Sequence, residues 1–379
     1  MTEYPIISSD SHLNEPLEIF SRLPERFRHR APRIEECDGQ RYIVVEGQWP
    51  FPIEAPNPIR EQDKDRYWRE DVHDEQDVGR VFHRAGGTNI DLRLRDQKKD
   101  GISAEVIYPH GIFNTFTSPD AEFQLALARV YNDYYHELFG AHTDRFVVSA
   151  VLPVIDVKGA IIEARRLAKL GFRAVSIPMT VPSMPYNLPI FNPLWAALED
   201  LGLVLGLHTF TFAEPQNESG PQRGAPPGAD LIETVFYMGI AMKPMCELVA
   251  SGTLQRHPGL KFVLAECGIG WLAWALQTLD QMQDKRHMWI NTPLELRASD
   301  YFRRQGGATF ADDPAGLNNL EITGADCLLW GNDYPHDEGT FPHSREAIER
   351  TFGGIGKDDK RKMLFENAAR IYGFSGLEK

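Results

Sequence analysis

The stretch Leu328–Gly339, LLWGNDYPHDEG, begins as a short apolar run, reaches the carboxylate Asp333 and breaks at Pro335. Such a run is typical of a buried strand, and a carboxylate where that strand emerges is costly to bury unless something neutralises it. The stretch Ile6–Pro16, IISSDSHLNEP, repeats the pattern with Asp10 and His12. The two stretches therefore predict strands that deliver charged side chains to one polar site.

Short apolar runs of this kind recur along the chain, separated by segments with helical periodicity. They are continuous rather than alternating, which is typical of parallel strands that are covered on both faces. The runs predict eight strands: Pro5–Ser8, Ala104–Pro109, Phe146–Leu152, Phe172–Ile177, Leu203–Leu207, Lys261–Ala265, Ala308–Phe310 and Cys327–Gly331. The segments between them predict helices over Asp120–His142, Val157–Leu170, Pro193–Leu201, Leu231–Ser251, Trp271–Lys285 and Arg345–Phe352.

This alternation predicts one α/β domain over residues 1–379, a (β/α)8 TIM-like barrel, with a doubly wound open sheet as the alternative. Residues 19–100, between the first and second strands, are too many for an ordinary βα loop. We expect them to form an insertion over the barrel mouth, with a hairpin at Arg41–Ile53. Ala213–Asp230, rich in Pro and Gly, predicts a second mouth loop.

The amino-acid composition argues against some classes of binding partner. Forty Lys and Arg against 54 Asp and Glu give a net charge of −14, which argues against nucleic acid or an anionic membrane as partner. The four cysteines are scattered without a C-x-x-C pair, and the N-terminus lacks a signal-peptide pattern, so a cytoplasmic enzyme is expected. The expected partners are a small carboxylate substrate and, through the insertion, a second copy of the chain in a homodimer.

Five of the eight predicted strands end in a histidine or an acid, and chemistry in such a barrel collects at these ends. The residues are Asp10 with His12, His110, His208, Glu266 and Asp333. Because Asp10 and His12 are two apart, they leave an extended strand on the same face. Two carboxylates and two imidazoles are good ligands for a divalent metal, which predicts one Zn, Mn or Fe ion held by Asp10, His12, His208 and Asp333.

Four motifs of the sequence resemble those of a known family. The motifs DSHLNEP, GLHTF, HPGLKFVLAECGIGWL and GNDYPH, in this order, resemble the amidohydrolase-related superfamily, specifically its aminocarboxymuconate-semialdehyde-decarboxylase-like branch. The resemblance covers nearly the whole chain. It implies a metal-dependent barrel enzyme whose relatives are non-oxidative decarboxylases, hydrolases and a hydratase.

Carried over residue by residue, the resemblance implies that Asp10, His12 and His208 are ligands and that Asp333 binds metal or handles protons. Two positions depart from the family pattern. Asp10 stands where the family more usually has the first histidine of His-x-His, and Glu266 stands where many decarboxylase relatives place a catalytic histidine. Glu266 can accept and donate a proton, but it cannot act as a cationic hydrogen-bond donor.

Each candidate also has a structural interpretation. Asp333 suits a turn or helix cap, and Glu15 suits a helix start as well as it suits a ligand. Glu266 suits a salt bridge at the barrel rim. His110 and His336 are candidates for substrate binding, and each is equally compatible with a structural role. Arg60, Arg84 and Arg223 are the candidates for carboxylate binding in the two mouth segments.

The sequence therefore predicts a metal-dependent non-oxidative decarboxylase of a small carboxylated aromatic or unsaturated cyclic acid. Asp333, Glu266 and His208 are the predicted catalytic residues. A metal-dependent hydrolase of an amide, lactone or C–C bond is the alternative, and Glu266 favours it because the histidine of the decarboxylases is missing. A metal-free binding protein on the same barrel is the third hypothesis.

Overall fold

A computed structural model describes residues 4–48, 50–53, 85–110, 115–213, 228–291, 293–336 and 338–377. Within them, eight parallel strands pair in chain order in one sheet. They are β1 (Ile7–His12), β5 (Ala104–Tyr108), β6 (Phe146–Val151), β7 (Ala174–Ile177), β8 (Val204–His208), β9 (Phe262–Ala265), β10 (Gly306–Phe310) and β11 (Leu328–Trp330).

The sheet closes on itself between its first strand and the segment that follows its last. Ser11 forms a parallel bridge with Tyr334, and the Asp333 amide donates to the Asp10 carbonyl at 3.0 Å. This closure confirms the predicted (β/α)8 barrel and excludes the doubly wound sheet. It also brings the two stretches that carry Asp10 and Asp333 side by side.

Helices connect the strands along the outside. They are α1 (Ile90–Asp100), α2 (Ala121–Phe139), α3 (Val157–Lys169), α4 (Asn192–Leu201), α5 (Ala229–Gly239), α6 (Met242–Ala250), α7 (Thr253–Arg256), α8 (Leu272–Lys285), α9 (Ala298–Gln305), α10 (Pro314–Leu317), α11 (Leu320–Thr323), α12 (Ser344–Thr351), α13 (Lys357–Arg361) and α14 (Asn367–Tyr372). No helix in these described ranges has the length and apolarity needed to cross a bilayer.

The barrel interior is filled by side chains from alternate strand positions. Val106, Tyr108 and Val263 belong to a buried cluster that also includes Tyr372 of α14. The hydroxyls of Tyr108 and Tyr372 lie 2.8 Å apart, so the C-terminal helix is tied to the interior. Gly206 in β8 leaves no room for a side chain, since an added Cβ would lie 2.9 Å from Tyr108. The interior is therefore a packed core.

The chain between β1 and β5 folds as separate elements where it is described. Two 3-10 helices, Leu17–Arg22 and Glu25–Arg30, precede a three-stranded antiparallel sheet of β2 (Arg33–Cys37), β3 (Gln40–Val44) and β4 (Phe51–Pro52). The pairing of β3 with β4 confirms the predicted hairpin. That residues 19–100 form an insertion over the mouth of a single domain stays a prediction.

With the exceptions that follow, each predicted strand and helix overlaps an observed one. The helix predicted over Leu231–Ser251 is wrong as one element, because α5 ends at Gly239 and α6 begins at Met242. Pro244 lies in the first turn of α6, where a missing amide hydrogen costs no hydrogen bond within the helix, so this proline is typical of a new helix start. The first strand begins and ends later than predicted, which places Asp10 and His12 inside β1. The sequence did not predict strand β2 or helices α1, α7, α9, α10, α11, α13 and α14.

Candidate metal and active site

The carboxyl ends of the barrel strands bring the predicted polar residues together. They reach the site from β1, from the last residue of β8, and from the segments directly after β5, β9 and β11. These residues are Asp10, His12, His110, His208, Glu266, Asp333 and His336. His12 and His208 are buried, and the Glu266 side chain is 21% exposed. The site is thus built on the strands and opens at one edge.

Four of these side chains surround one small space. His208 Nε2 lies 3.0 Å from Glu266 Oε2 and 3.4 Å from Asp10 Oδ1. His12 Nε2 lies 3.7 Å from Glu266 Oε2 and 3.8 Å from Asp10 Oδ1. One ligand atom from each residue lies within 4.8 Å of the other three. Because ligands sit about 2.0–2.2 Å from an ion, opposite ones are at most about 4.4 Å apart, close to the size of this group.

Several buried atoms of the site make no hydrogen bond to any described residue. They are Asp10 Oδ1, His12 Nε2, His208 Nε2 and Asp333 Oδ1. Leaving a buried polar atom unpaired costs roughly 1–3 kcal/mol. A divalent cation would satisfy these imidazole nitrogens and carboxylate oxygens at once, so the residues present fit such an ion.

Asp333 belongs to a second, overlapping group. Its Oδ1 lies 3.3 Å from His12 Nε2 and 2.8 Å from His336 Nδ1, and His336 Nε2 lies 3.0 Å from His110 Nε2. The second group joins His12, Glu266, Asp333 and His336 within 4.8 Å. Asp10, His12 and His208 therefore lie together as predicted, while Asp333 is grouped with His336. The candidate substrate residues His110 and His336 lie at the site, and their role stays a prediction.

Surrounding groups orient the candidate ligands. The His208 Nδ1 atom lies 2.9 Å from the Thr209 carbonyl, which accepts its hydrogen and leaves Nε2 free to bind an ion. Thr309 Oγ1 donates to Asp10 Oδ2 at 3.0 Å and accepts from the Glu266 amide at 2.7 Å. Sequence reasoning missed Thr309, because a threonine inside the short run ATF indicates only a strand.

The charges in the site are strongly coupled. Burial lowers the pKa of His208, but the Asp10 and Glu266 carboxylates raise it well above its usual value. Burial raises the pKa of Glu266, and the two imidazoles beside it lower that pKa well below the usual range. Burial lowers the pKa of His336, and Asp333 more than reverses this and raises it to about 10. The site therefore holds ionised carboxylates beside imidazoles.

Glu15 lies buried next to the site. Its Oε1 accepts the His110 amide at 3.1 Å and also the Tyr135 hydroxyl. Burial raises the pKa of Glu15 to about 7. Glu15 therefore holds the backbone of His110, and the described contacts do not place it in either ligand group. Arg60, Arg84 and Arg223 lie outside the described residues.

Comparison with known proteins agrees with this picture. The amidohydrolase family model matches residues 112–374, about two thirds of the chain. A gamma-resorcylate decarboxylase from Rhodococcus jostii (strain RHA1) is 26% identical over 279 residues, which cover 67% of this chain and 78% of that protein. The family resemblance seen in the sequence is confirmed.

Two solved structures share the fold at low identity. An amidohydrolase from Mycobacterium avium subsp. paratuberculosis K-10 superposes with a TM-score of 0.76 at 19% identity, over 98% of this chain and 100% of that one. A 5-carboxyvanillate decarboxylase from Novosphingobium aromaticivorans, with bound manganese and 3-methoxy-4-hydroxy-5-nitrobenzoic acid, gives 0.66 at 16% identity, over 98% and 97%. Both therefore support the barrel.

Proposed function

The chain belongs to the amidohydrolase family, and on that premise we propose that it is a metal-dependent non-oxidative decarboxylase of a small aromatic acid that carries a hydroxyl group. One observation carries the proposal: buried imidazole and carboxylate atoms surround a space the size of an ion and have no hydrogen-bond partners among the described residues. The similarity to gamma-resorcylate and 5-carboxyvanillate decarboxylases supports the reaction and the substrate class.

Asp10, His12 and His208 would hold one divalent cation through Oδ1 and the two Nε2 atoms. When bound, that cation supplies positive charge that attracts the substrate carboxylate and a neighbouring oxygen and stabilises charge that develops on them. A mixed nitrogen and oxygen set suits Mn, Zn or Fe, and manganese in the 5-carboxyvanillate decarboxylase favours Mn for the first trial.

Loss of CO2 breaks a bond to a ring carbon, and that carbon must gain a proton. Asp333 and His336 would deliver it, and the 2.8 Å between Asp333 Oδ1 and His336 Nδ1 supports this pair. The pKa of His336 is raised to about 10 and that of Asp333 is lowered, so at neutral pH the imidazole is protonated and the carboxylate is ionised. His110, 3.0 Å beyond His336, is the next group that can pass a proton.

Aromatic side chains beside His208 support a flat substrate. Phe210 and Phe212 follow His208 by two and four residues, and their ring centroids lie 5.3 and 4.7 Å from that of Tyr237. All three rings are half-buried. Half-buried rings close to a polar site can stack on an aromatic acid while the ligand residues bind its carboxylate.

The compartment proposed from the sequence remains the cytoplasm. All four cysteines, Cys37, Cys246, Cys267 and Cys327, are unpaired, which supports a reducing environment. A homodimer also remains a proposal.

The test is a screen of hydroxybenzoates and carboxyvanillate for CO2 release, run beside ester and amide panels on protein reconstituted with Mn²⁺. We expect CO2 and a ring product with hydrogen in place of the carboxyl group, and no turnover after chelation. Incorporation of oxygen-18 from labelled water into the organic product would identify a hydrolase instead. Protein that binds substoichiometric metal after reconstitution would support the metal-free binding protein.

A further inference from the structure

Asp333 reaches the site from the segment that closes the barrel. Its Oδ1 lies 3.3 Å from His12 Nε2, and both atoms are buried without a hydrogen bond to a described residue. The carboxylate thus faces the imidazole nitrogen that would bind the cation, which supports the predicted place of Asp333 among the ligands. Because opposite charges attract strongly at such distances, the position of this carboxylate affects how tightly a divalent cation binds.

The backbone of Asp333 is held by the residue before it. Asp333 has φ +56°, in the left-handed region that is disfavoured for a residue with a Cβ atom. The Tyr334 amide donates to Asn332 Oδ1 at 3.2 Å, so the Asn332 side chain spans Asp333 as an Asx turn. This hydrogen bond links the residues on either side of Asp333 and stabilises the conformation between them.

The Asn332 side chain is in turn anchored to β1 and α1. Its Oδ1 accepts from the hydroxyls of Ser8 and Ser11 at 2.8 and 3.2 Å, and its Nδ2 donates to Asp100 Oδ2 at 3.4 Å. Its backbone amide donates to Ser8 Oγ at 3.0 Å. Asn332 is 1% exposed, and both polar atoms of its side chain have partners, as a buried amide requires.

The same contacts reach Asp10. Strand β1 shifts its register against β5 between Ser8 and Ser11, and Asp10 lies in this irregular stretch. The Asp10 carbonyl accepts the Asp333 amide at 3.0 Å and lies 2.9 Å from Ser8 Oγ. Irregularities of this kind redirect side chains next to active sites. Asn332 therefore joins the two segments that carry Asp10 and Asp333.

We propose that Asn332 is a positioning residue of the metal site, whose side-chain amide holds Asp333 and Asp10 beside His12. It acts through the backbone of Asp333 and through the serines of β1. In the motif GNDYPH, Asp333 supplies a carboxylate and Asn332 supplies the turn that presents it. The inference rests on the metal dependence of the proposed function and adds a residue on which that dependence relies.

The test compares Asn332→Ala with Asn332→Ser by their binding of Mn²⁺, measured from the electron paramagnetic resonance signal of free Mn²⁺. The two changes leave similar space, but Asn332→Ser keeps an oxygen that can accept the Tyr334 amide, more weakly than asparagine does. Asn332→Ala should weaken binding by about 10- to 100-fold, and Asn332→Ser should bind several-fold more tightly than Asn332→Ala. Equal dissociation constants for these two variants would overturn the proposal.

A matched control separates positioning from a general loosening of the barrel. Asn367 is also buried, and its side chain donates to the carbonyl of Leu328 at the start of β11 at 2.8 Å. Asn367→Ala leaves that carbonyl without this donor, so it should lower the urea midpoint in chelator and leave the Kd for Mn²⁺ unchanged. A loss of Mn²⁺ affinity in Asn367→Ala as large as that in Asn332→Ala would overturn the positioning role.

Ser8 provides a second measurement, which applies even if Asn332→Ala does not fold. Ser8→Ala keeps the Asx turn but removes the hydroxyl between Asn332 and the Asp10 carbonyl, and it should weaken Mn²⁺ binding by about 10-fold. Ser149→Ala removes a buried hydroxyl of β6 that lies 2.7 Å from Ser176 Oγ, and it should leave the affinity unchanged. Equal Mn²⁺ affinities for Ser8→Ala and Ser149→Ala would contradict the proposal.

These measurements are independent of turnover. A protein whose Mn²⁺ affinity depends on Asn332 but that releases no CO2 from any tested acid would refute the proposed reaction alone. A decarboxylase that binds Mn²⁺ equally well with and without Asn332→Ala would refute this inference alone.

Discussion

Glu266 and Asp333 are held in a backbone conformation that costs energy. Their φ angles are +55° and +56°, where a non-glycine residue is disfavoured by roughly 1–2 kcal/mol. Both amides are nevertheless paired, that of Glu266 with Thr309 Oγ1 and that of Asp333 with the Asp10 carbonyl. The surrounding barrel thus fixes two strained residues at the same rim and turns both carboxylates towards His12. Strain of this kind concentrates at functional sites.

Replacing Asp333 tests its proposed role in proton delivery. Asp333→Asn keeps the size of the side chain but cannot carry a proton between His336 and a substrate carbon. We expect kcat for decarboxylation to fall by about 10²- to 10⁴-fold. Asp312→Asn is the matched control, because Asp312 follows β10, is paired with Arg350 and Thr351 and lies outside both ligand groups. Unchanged turnover in Asp333→Asn would remove the residue from the mechanism.

Glu15 predicts a dependence of stability on pH. Its pKa is raised from 4.5 to about 7 by burial, so the folded protein holds a proton that the unfolded chain releases above pH 4.5. The contribution of protonated Glu15 to the free energy of unfolding is fully present below pH 4.5 and is lost as pH rises towards 7. We expect Glu15→Gln, which mimics the protonated form, to gain in Tm relative to the unchanged protein as pH rises from 5 to 8.

The Tm of Glu15→Gln and of the unchanged protein is measured in chelator at several pH values from 5 to 8. The amide oxygen that Glu15→Gln introduces can still accept from the Tyr135 hydroxyl and from the His110 amide, so the packing around it is preserved. A constant difference in Tm from pH 5 to 8 would show that Glu15 does not titrate there.

At the level of elements, α1 contacts the strands β1 and β5, which carry part of the site, through Arg93. Arg93 in α1 donates to Glu105 of β5 at 2.6 Å and to the carbonyl of His12 at 2.6 Å. Arg93 and Glu105 are both 1% exposed. This helix was not predicted, since its sequence, IDLRLRDQKKD, is too polar to indicate burial. Its packing depends on a buried charge pair, which hydrophobic periodicity does not detect.

Breaking that pair should destabilise the barrel. Arg93→Ala leaves Glu105 as an uncompensated buried charge, which costs about 3–5 kcal/mol. Unfolding by urea measures the loss. The double change Arg93→Met with Glu105→Leu removes both charges and should recover much of the stability. As a control, Arg297→Ala breaks the exposed pair with Asp284 and should leave the urea midpoint unchanged. Equal effects of Arg93→Ala and Arg297→Ala would contradict this account.

At the scale of the whole molecule, the fold could be predicted because each barrel strand is buried on both faces. Continuous runs such as Phe146–Leu152 therefore stand out, and even the weak run Ala308–Phe310 is a strand. The convergence of His12, His208 and Glu266 follows from the shared rim of parallel strands. The sequence alone could not predict whether Glu266 or Asp333 lies in one ligand group with both His12 and His208. That depends on side-chain positions fixed by Thr309 of β10, which contacts the Glu266 amide and Asp10 Oδ2.

Metal binding should stabilise the whole chain, because the site leaves buried atoms unpaired without it. Free Mn²⁺ at about 100 times its Kd should add about 2.7 kcal/mol to the free energy of unfolding, and chelation should remove it. Thermal melts with Mn²⁺ or with chelator measure this. A chain with net charge −14 also attracts cations non-specifically, so the control is His208→Asn, which lacks one of the two imidazole ligands. If Mn²⁺ raises the Tm of that variant as much as it raises that of the unchanged protein, the stabilising ions lie elsewhere on the acidic surface and the proposed site contributes nothing to folding.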